Sequence, residues 1–115
     1  MSNWFSAVEV RHEGGAAIVS PAGRLDAATA PELDAALAAI MDAGTSAIIL
    51  DLSSVEFMAS AGLRSIMICA RRMGASGGGF ALAGPGGAVA EVLSISGYAD
   101  LLAIHETVAD ALAAG

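Results

Sequence analysis

Ser60 is the residue whose type and setting point first to chemistry. It stands between Ala59 and Ala61, with Gly62 two residues on and Arg64 four residues on. After it, Leu63, Ile66, Met67, Ala70 and Gly74 recur at spacings of three and four, while Arg64, Ser65, Arg71 and Arg72 fall mainly elsewhere. That spacing predicts a helix running to about Met73, with Ser60 at its N-terminus, at or next to the cap. Two roles follow. A serine hydroxyl at a cap accepts a hydrogen bond from a free backbone N–H, worth about 1 kcal/mol. The same helix end presents unpaired N–H groups and a partial positive charge, which accommodate an anion. A phosphate on Ser60 would add roughly −1.5 to −2 charges at pH 7. Arg64, one turn on, could reach back to it. A hydroxyl so placed could change its charge without unfolding the helix.

The other reactive residue types are sparse. His12 and His105 are the only histidines, and no His-x-x-x-His spacing occurs. Cys69 is the only cysteine, so an internal disulfide and a cysteine-based metal cluster are excluded. Its place within the helical stretch predicts a small buried apolar role. There is no lysine. That excludes a P-loop lysine, a Schiff base and a kinase-type phosphate lysine. No serine has the Gly-x-Ser-x-Gly context of a nucleophile elbow. Asp26 and Asp51 lie at the ends of predicted elements. They read as turn and cap residues before they read as an acid–base pair. Neither an enzyme nor a cofactor is expected.

Charge and hydropathy narrow the partners. Twelve acids face five arginines, for a formal charge of −7. Nonspecific nucleic-acid binding needs phosphate neutralisation, so this balance argues against it. Apolar residues make up 56% of the chain, much of it alanine. No run of about 18 apolar residues is free of charge, so no membrane insertion is expected. Met1–Trp4 shows no basic segment followed by an apolar one, so a cytoplasmic location is expected.

The elements that must position Ser60 can be read in order. The chain reads as one domain over residues 1–115. Ser6–Arg11 alternates, with Val8 and Val10 on one side and Glu9 and Arg11 on the other, as an edge strand does. Glu13-Gly14-Gly15 signals a hairpin turn, Ala16–Ser20 the return strand, and Pro21-Ala22-Gly23 a break. Thr29, Pro31 and Glu32 read as a capping box opening a helix to about Ala43. Leu33, Leu37, Ile40 and Met41 form its inner face, and Gly44 stops it. Ala47–Leu50 is a continuous apolar run, as in a strand covered on both faces. Residues 51–56 read as a chain leaving the sheet. Gly74–Gly79 reads as a flexible turn. It follows a helix and precedes a strand, the reverse of the dinucleotide fingerprint. Phe80–Ala83 is a strand, Ala88–Ser94 a helix with Val89, Val92 and Leu93 inward, and Gly97 its stop. Leu101–His105 is the last strand, and Thr107 caps a final helix through Ala114. Five strands alternating with four helices imply an α/β fold with a largely parallel sheet and right-handed crossovers.

The run Val55-Glu56-Phe57-Met58-Ala59-Ser60-Ala61-Gly62-Leu63 resembles the signature of STAS domains of the bacterial anti-sigma factor antagonist type, with its D-S-x-G-L core. Ala59 stands where an aspartate is usual. Gly23-Arg24-Leu25-Asp26 and Thr29-Ala30-Pro31-Glu32-Leu33 are similar to a second segment of that family, in the right order and spacing. The resemblance implies a STAS-like fold, a small mixed and mostly parallel sheet of about five strands with about four helices. It implies a protein-binding module that sequesters an anti-sigma factor with serine kinase activity and so releases a sigma factor. Phosphorylation of Ser60 would switch the module off, and a serine phosphatase would reset it. Asp26, Ala59, Ser60, Ala61 and Gly62 are the partner-binding residues carried over by position. Arg64 joins them as the turn above Ser60, and Ile68 as an apolar residue off the inner stripe, expected to be exposed. The alternative is a constitutive STAS subunit of a larger assembly, such as a lipid-transport or signalling complex, in which Ser60 is a cap.

Overall fold

The computed structural model describes residues 8–114. The reading of Met1–Trp4, and of Ser6 and Ala7 as strand, lies outside them. The chain runs β1 (Val8–Glu13), β2 (Ala16–Pro21), β3 (Gly23–Leu25), α1 (Ala30–Asp42), β4 (Ala47–Asp51), β5 (Val55–Met58), α2 (Ser60–Ala75), β6 (Gly79–Ala83), α3 (Gly87–Ile95), β7 (Ala103–His105) and α4 (Val108–Ala114). A single 3₁₀ turn, Tyr98–Asp100, links α3 to β7.

Five strands form the main sheet in the order β1-β2-β4-β6-β7. β1 and β2 are antiparallel; the other pairs are parallel. The hairpin turns on Gly14 (φ +60°) and Gly15 (φ +83°). Both lie in the left-handed region, which the twist of a two-residue hairpin requires and only glycine adopts cheaply. The expected mostly parallel sheet with four helices is therefore what forms.

Side chains alternate across the sheet. Ala17, Val19, Ile48, Leu50 and Leu82 face α1, α2 and α3, where Leu33, Leu37, Ile66, Met73, Val89 and Leu93 complete the larger core. Ala16, Ile18, Ile49 and Ala83 point the other way, under Val108, Ala111 and Leu112 of α4. Ile48, Ile49 and Leu50 are all buried, because helices cover β4 on both faces.

Several expectations are corrected. Residues 51–56 read as a chain leaving the sheet and Gly23–Leu25 as no element of its own. Instead, Gly23–Leu25 is β3 and Val55 and Glu56 open β5, and the two strands pair in parallel as a separate two-stranded sheet. Three and four residues are too few to show a period, and the pairing joins distant segments. β2 runs through Pro21, which pairs with Val8, so the break comes one residue later. The capping box does not form. Thr29 Oγ1 donates to the Arg24 carbonyl (2.7 Å) and accepts from the Asp26 N–H (3.0 Å), so the hydroxyl faces away from the helix. The inner stripe of α2 is Gly62, Ser65, Ile66, Cys69 and Met73. Leu63, Met67 and Ala70 are half-buried at its edges and Gly74 is exposed. The stripe is rotated by about one residue because Ser65 satisfies its own hydroxyl on the Ala61 carbonyl (3.2 Å), which lets a polar residue face inward.

α2 also runs two residues past Met73. The glycine turn after it is held by bonds from the Gly77 N–H to the Gly74 carbonyl and from the Gly78 N–H to the Met73 carbonyl (2.7 Å), not left as a flexible link. The last strand begins at Ala103 rather than Leu101, because the Leu101 N–H closes the 3₁₀ turn on the Tyr98 carbonyl (3.0 Å). Thr107 caps α4 as expected, its Oγ1 accepting from the Asp110 N–H (3.0 Å).

Candidate functional site

The β3–β5 pair builds the site. Leu25 pairs with Met58, and the Ala59 N–H then bonds the Leu25 carbonyl (2.9 Å). The chain therefore leaves both strands side by side. Asp26 turns into α1 and Ser60 opens α2. Two motifs far apart in sequence are brought to one edge by six backbone residues of pairing and one bond beyond them.

Ser60 is the first residue of α2, and Ala59 holds the cap position with extended backbone (φ −101°, ψ 178°). The Ala59 carbonyl accepts from the N–H groups of Gly62 (2.9 Å) and Leu63 (3.3 Å). No side-chain cap bond closes this terminus. The cap role considered for Ser60 is thus replaced: its hydroxyl is exposed and the alanine at the cap has no side-chain oxygen to offer. An aspartate at position 59 would be a favoured N-cap.

Gly62 is buried, and a Cβ there would fall 2.8 Å from Leu25 Cγ and 3.0 Å from Met58 Cγ. The missing side chain lets α2 seat directly on β3–β5. Ala59 and Ala61 are half-buried beside Ser60. Ser60, Arg64 and Ile68 face outward along one stripe of α2 and line a groove of about 370 Å³. Leu63, Met67, Arg71 and the Tyr98 ring complete its walls. Ile68 is 47% exposed, as its position off the inner stripe predicted. Ser65, on the same helix, is 2% exposed and out of reach of a modifying enzyme.

Asp26 lies off this groove. Its Oδ1 accepts from the N–H groups of Ala28 (3.1 Å) and Thr29 (3.3 Å), and its carbonyl accepts from the Ala30 N–H (2.8 Å). Partial desolvation works to raise its pKa. The Ala28 and Thr29 N–H groups, the Arg24 guanidinium and the Thr29 hydroxyl outweigh it and hold the carboxyl below the usual carboxylate range. Arg24 also stacks over the exposed Phe57 ring, 4.3 Å from its centroid. Asp51 is occupied in its own turn. Its Oδ1 accepts from the Ser53 hydroxyl (2.7 Å) and Oδ2 from the Ser20 hydroxyl (3.2 Å). Both acids do turn chemistry, as expected. Cys69 is buried as expected, with its Sγ 3.9 Å from Met41 Sδ. Burial pushes its thiol up to about 11 against the opposing charge of Arg72, which leaves it unreactive. No helix among the described residues is long and apolar enough to cross a membrane.

Sequence reasoning missed two members of the groove, Arg71 and Tyr98, and the Arg24–Phe57 pair on the neighbouring β3–β5 surface. Arg71 follows Arg64 by two helical turns, a spacing that was there to be read. Tyr98 comes from a distant 3₁₀ turn and carries no such signal. The Arg24–Phe57 pair exists only because β3 and β5 pair.

Comparisons with known proteins agree with this geometry. A family model described as STAS domain matches residues 7–111. None of the curated proteins matches the chain. Among solved structures, an anti-sigma factor antagonist from Mycobacterium paratuberculosis is 31% identical, with 93% of this chain and 91% of that one covered and a TM-score of 0.87. The antagonist SpoIIAA in its unphosphorylated form is 22% identical over 92% of this chain and 93% of its own, with a TM-score of 0.79. The Bacillus SpoIIAA in the phosphorylated form is 20% identical over 92% and 96%, with a TM-score of 0.74. A sulfate transporter family protein from Wolinella succinogenes is 19% identical over 86% and 83%, again at 0.74. The last three likenesses show the fold alone. Through both motifs and nearly its whole length, the chain belongs to the STAS domain family and is similar to the anti-sigma factor antagonists within it.

Proposed function

We propose that this chain is an anti-sigma factor antagonist, a single-domain, non-enzymatic, cytoplasmic module switched by phosphorylation at Ser60. Unmodified, it sequesters an anti-sigma factor with serine kinase activity, and a sigma factor is released. The observation that carries this reading is the exposed Ser60 hydroxyl at the first position of an α2 terminus that no side chain caps. A phosphate there gains the free N–H groups of the first turn and an arginine one turn on. The helix therefore tolerates the modification. A partner surface packed on Ser60 does not, because it must desolvate a dianion. Asp26, Ala59, Ser60, Ala61, Arg64 and Ile68 are the contact residues of this reading, and Gly62 sets the seat of α2 beneath them. A serine phosphatase restores binding.

Ala59 favours a second reading. Where a carboxylate is usual in the family this chain has a methyl group, and a kinase that reads the acid would pass over Ser60. The chain would then be a constitutive subunit of a larger assembly. Intact-mass analysis of the protein from its own host, with the site mapped by fragmentation, separates the two. One phosphate on Ser60 is the expected result. No phosphate under any growth condition would overturn the switch and leave the subunit.

A further inference from the structure

Charge on this molecule is segregated. None of the twelve acids stands on α2, but three of the five arginines do. Arg72 is paired with Asp42 of α1 (3.0 Å). Arg64 and Arg71 have no carboxylate within ion-pair reach among the described residues. Both are exposed and both line the groove. Between them lie the exposed Ile68 and the half-buried Met67, with the half-buried Leu63 beside Arg64 and Tyr98 opposite. Along about 10 Å of helix the groove therefore presents cation, apolar floor and cation.

We infer that this groove takes an acidic amphipathic helix of the protein partner, with its apolar side chains on Leu63, Met67, Ile68 and Tyr98 and its carboxylates on Arg64 and Arg71. The inference deepens the protein-binding reading above and rests on it. The apolar floor asks for more than a simple anion, and the two cations ask for more than an apolar face. An anionic membrane or a nucleic acid would present a continuous negative surface to a molecule of net charge −7. Outside the basic strip that surface meets a molecule whose acids outnumber its arginines twelve to five. A single helix keeps its acids within the basic strip.

The same geometry supplies regulation. A phosphate on Ser60 brings roughly −1.5 to −2 charges. It lies one helical turn from Arg64, the spacing at which side chains on a helix meet. It engages Arg64 and cancels the positive charge of the groove, so an acidic partner loses its attraction as well as its space.

The test titrates a short helical peptide with a leucine stripe flanked by glutamates into the full chain labelled with nitrogen-15. Its glutamine-for-glutamate and serine-for-leucine counterparts are run alongside, at low and at high salt. Saturable amide shifts are expected at Leu63, Arg64, Met67, Ile68, Arg71 and Tyr98 with the first peptide only. Arg64→Gln and Arg71→Gln should each weaken binding roughly threefold and together remove most of its salt dependence. Arg64→Lys and Arg71→Lys should retain most of both. Both side chains are on the surface, so the four variants stay folded. Shifts elsewhere, equal binding of the glutamine peptide, or indifference to the arginine variants would overturn the inference. So would the same shifts produced by phosphatidylglycerol vesicles in preference to the peptide. An absent phosphate on Ser60 leaves peptide binding intact and sinks the switch alone. A phosphorylated Ser60 without peptide binding sinks the groove alone.

Discussion

The two helices that leave the β3–β5 pair begin in opposite ways. α1 starts behind Asp26 and Thr29, whose side chains close the turn before the helix on one another and on the Ala28 and Thr29 N–H groups, while their carbonyls accept from Ala30 and Glu32. α2 starts behind Ala59, with no side-chain oxygen at all. The ends are neighbours, built on the same two short strands, yet one is closed and the other open. The closed end serves stability and leaves Asp26 little freedom to react. The open end leaves N–H groups and a hydroxyl available for something that arrives later. The proposed switch sits where local stabilisation was left undone.

Removing the common base should have the largest effect. Gly62→Val puts a Cβ 2.8 Å from Leu25 Cγ and lifts α2 from β3–β5. We expect a loss of about 3 kcal/mol in denaturant unfolding, with both helix ends disturbed. A nearly neutral result would mean that the seat of α2 is not set by this contact.

Opening the closed end comes next. Asp26→Ala removes the acceptor of two N–H bonds and should destabilise the protein, while Asp26→Asn keeps an acceptor oxygen and should recover part of the loss. The folded pKa of Asp26 is depressed, so its contribution is full above the unfolded value of about 3.9 and fades as pH falls through the folded one. The gap between wild type and Asp26→Ala should therefore narrow in acid below about pH 4. A gap that widened there would contradict the bonding described.

Closing the open end should have a smaller effect of opposite sign. Ala59→Asp supplies a carboxylate for the Ala61 or Gly62 N–H and should stabilise by about 1 kcal/mol. An unchanged unfolding midpoint would show that this end is already satisfied. The smallest effect belongs to Ser60→Ala, within about 0.5 kcal/mol of wild type, since the hydroxyl caps nothing. A larger loss would make Ser60 a structural cap and erase the difference between the two ends.

The sequence alone showed the sheet strands and helices whose burial follows a period. Ile48 to Leu50 read as a doubly covered strand because every residue in it is apolar, and Leu33, Leu37 and Ile40 read as a helix face because they repeat every three or four. It showed the stops at Gly44 and Gly97, the cap at Thr107, the buried Cys69 and the exposed Ile68. It also placed Ser60 at a helix N-terminus within two motifs in register. These are local properties, written in neighbours along the chain. Tertiary structure decided the rest. β3 and β5 are too short to have a period and exist only as a pair. The one-residue rotation of α2 followed from what Gly62 meets on β3 and β5 and from the bond of the Ser65 hydroxyl to the Ala61 carbonyl one turn back. Thr29 gave its hydroxyl to Arg24 and Asp26 rather than to α1, and Tyr98 reached the groove from a turn that no local signal announces. The Thr29 bonds span only three and five residues, but they depend on the turn in which those residues meet. The pairing of β3 with β5, the seat of Gly62 on Leu25 and the approach of Tyr98 join residues distant in sequence, and their energy is realised only once the chain has closed on itself.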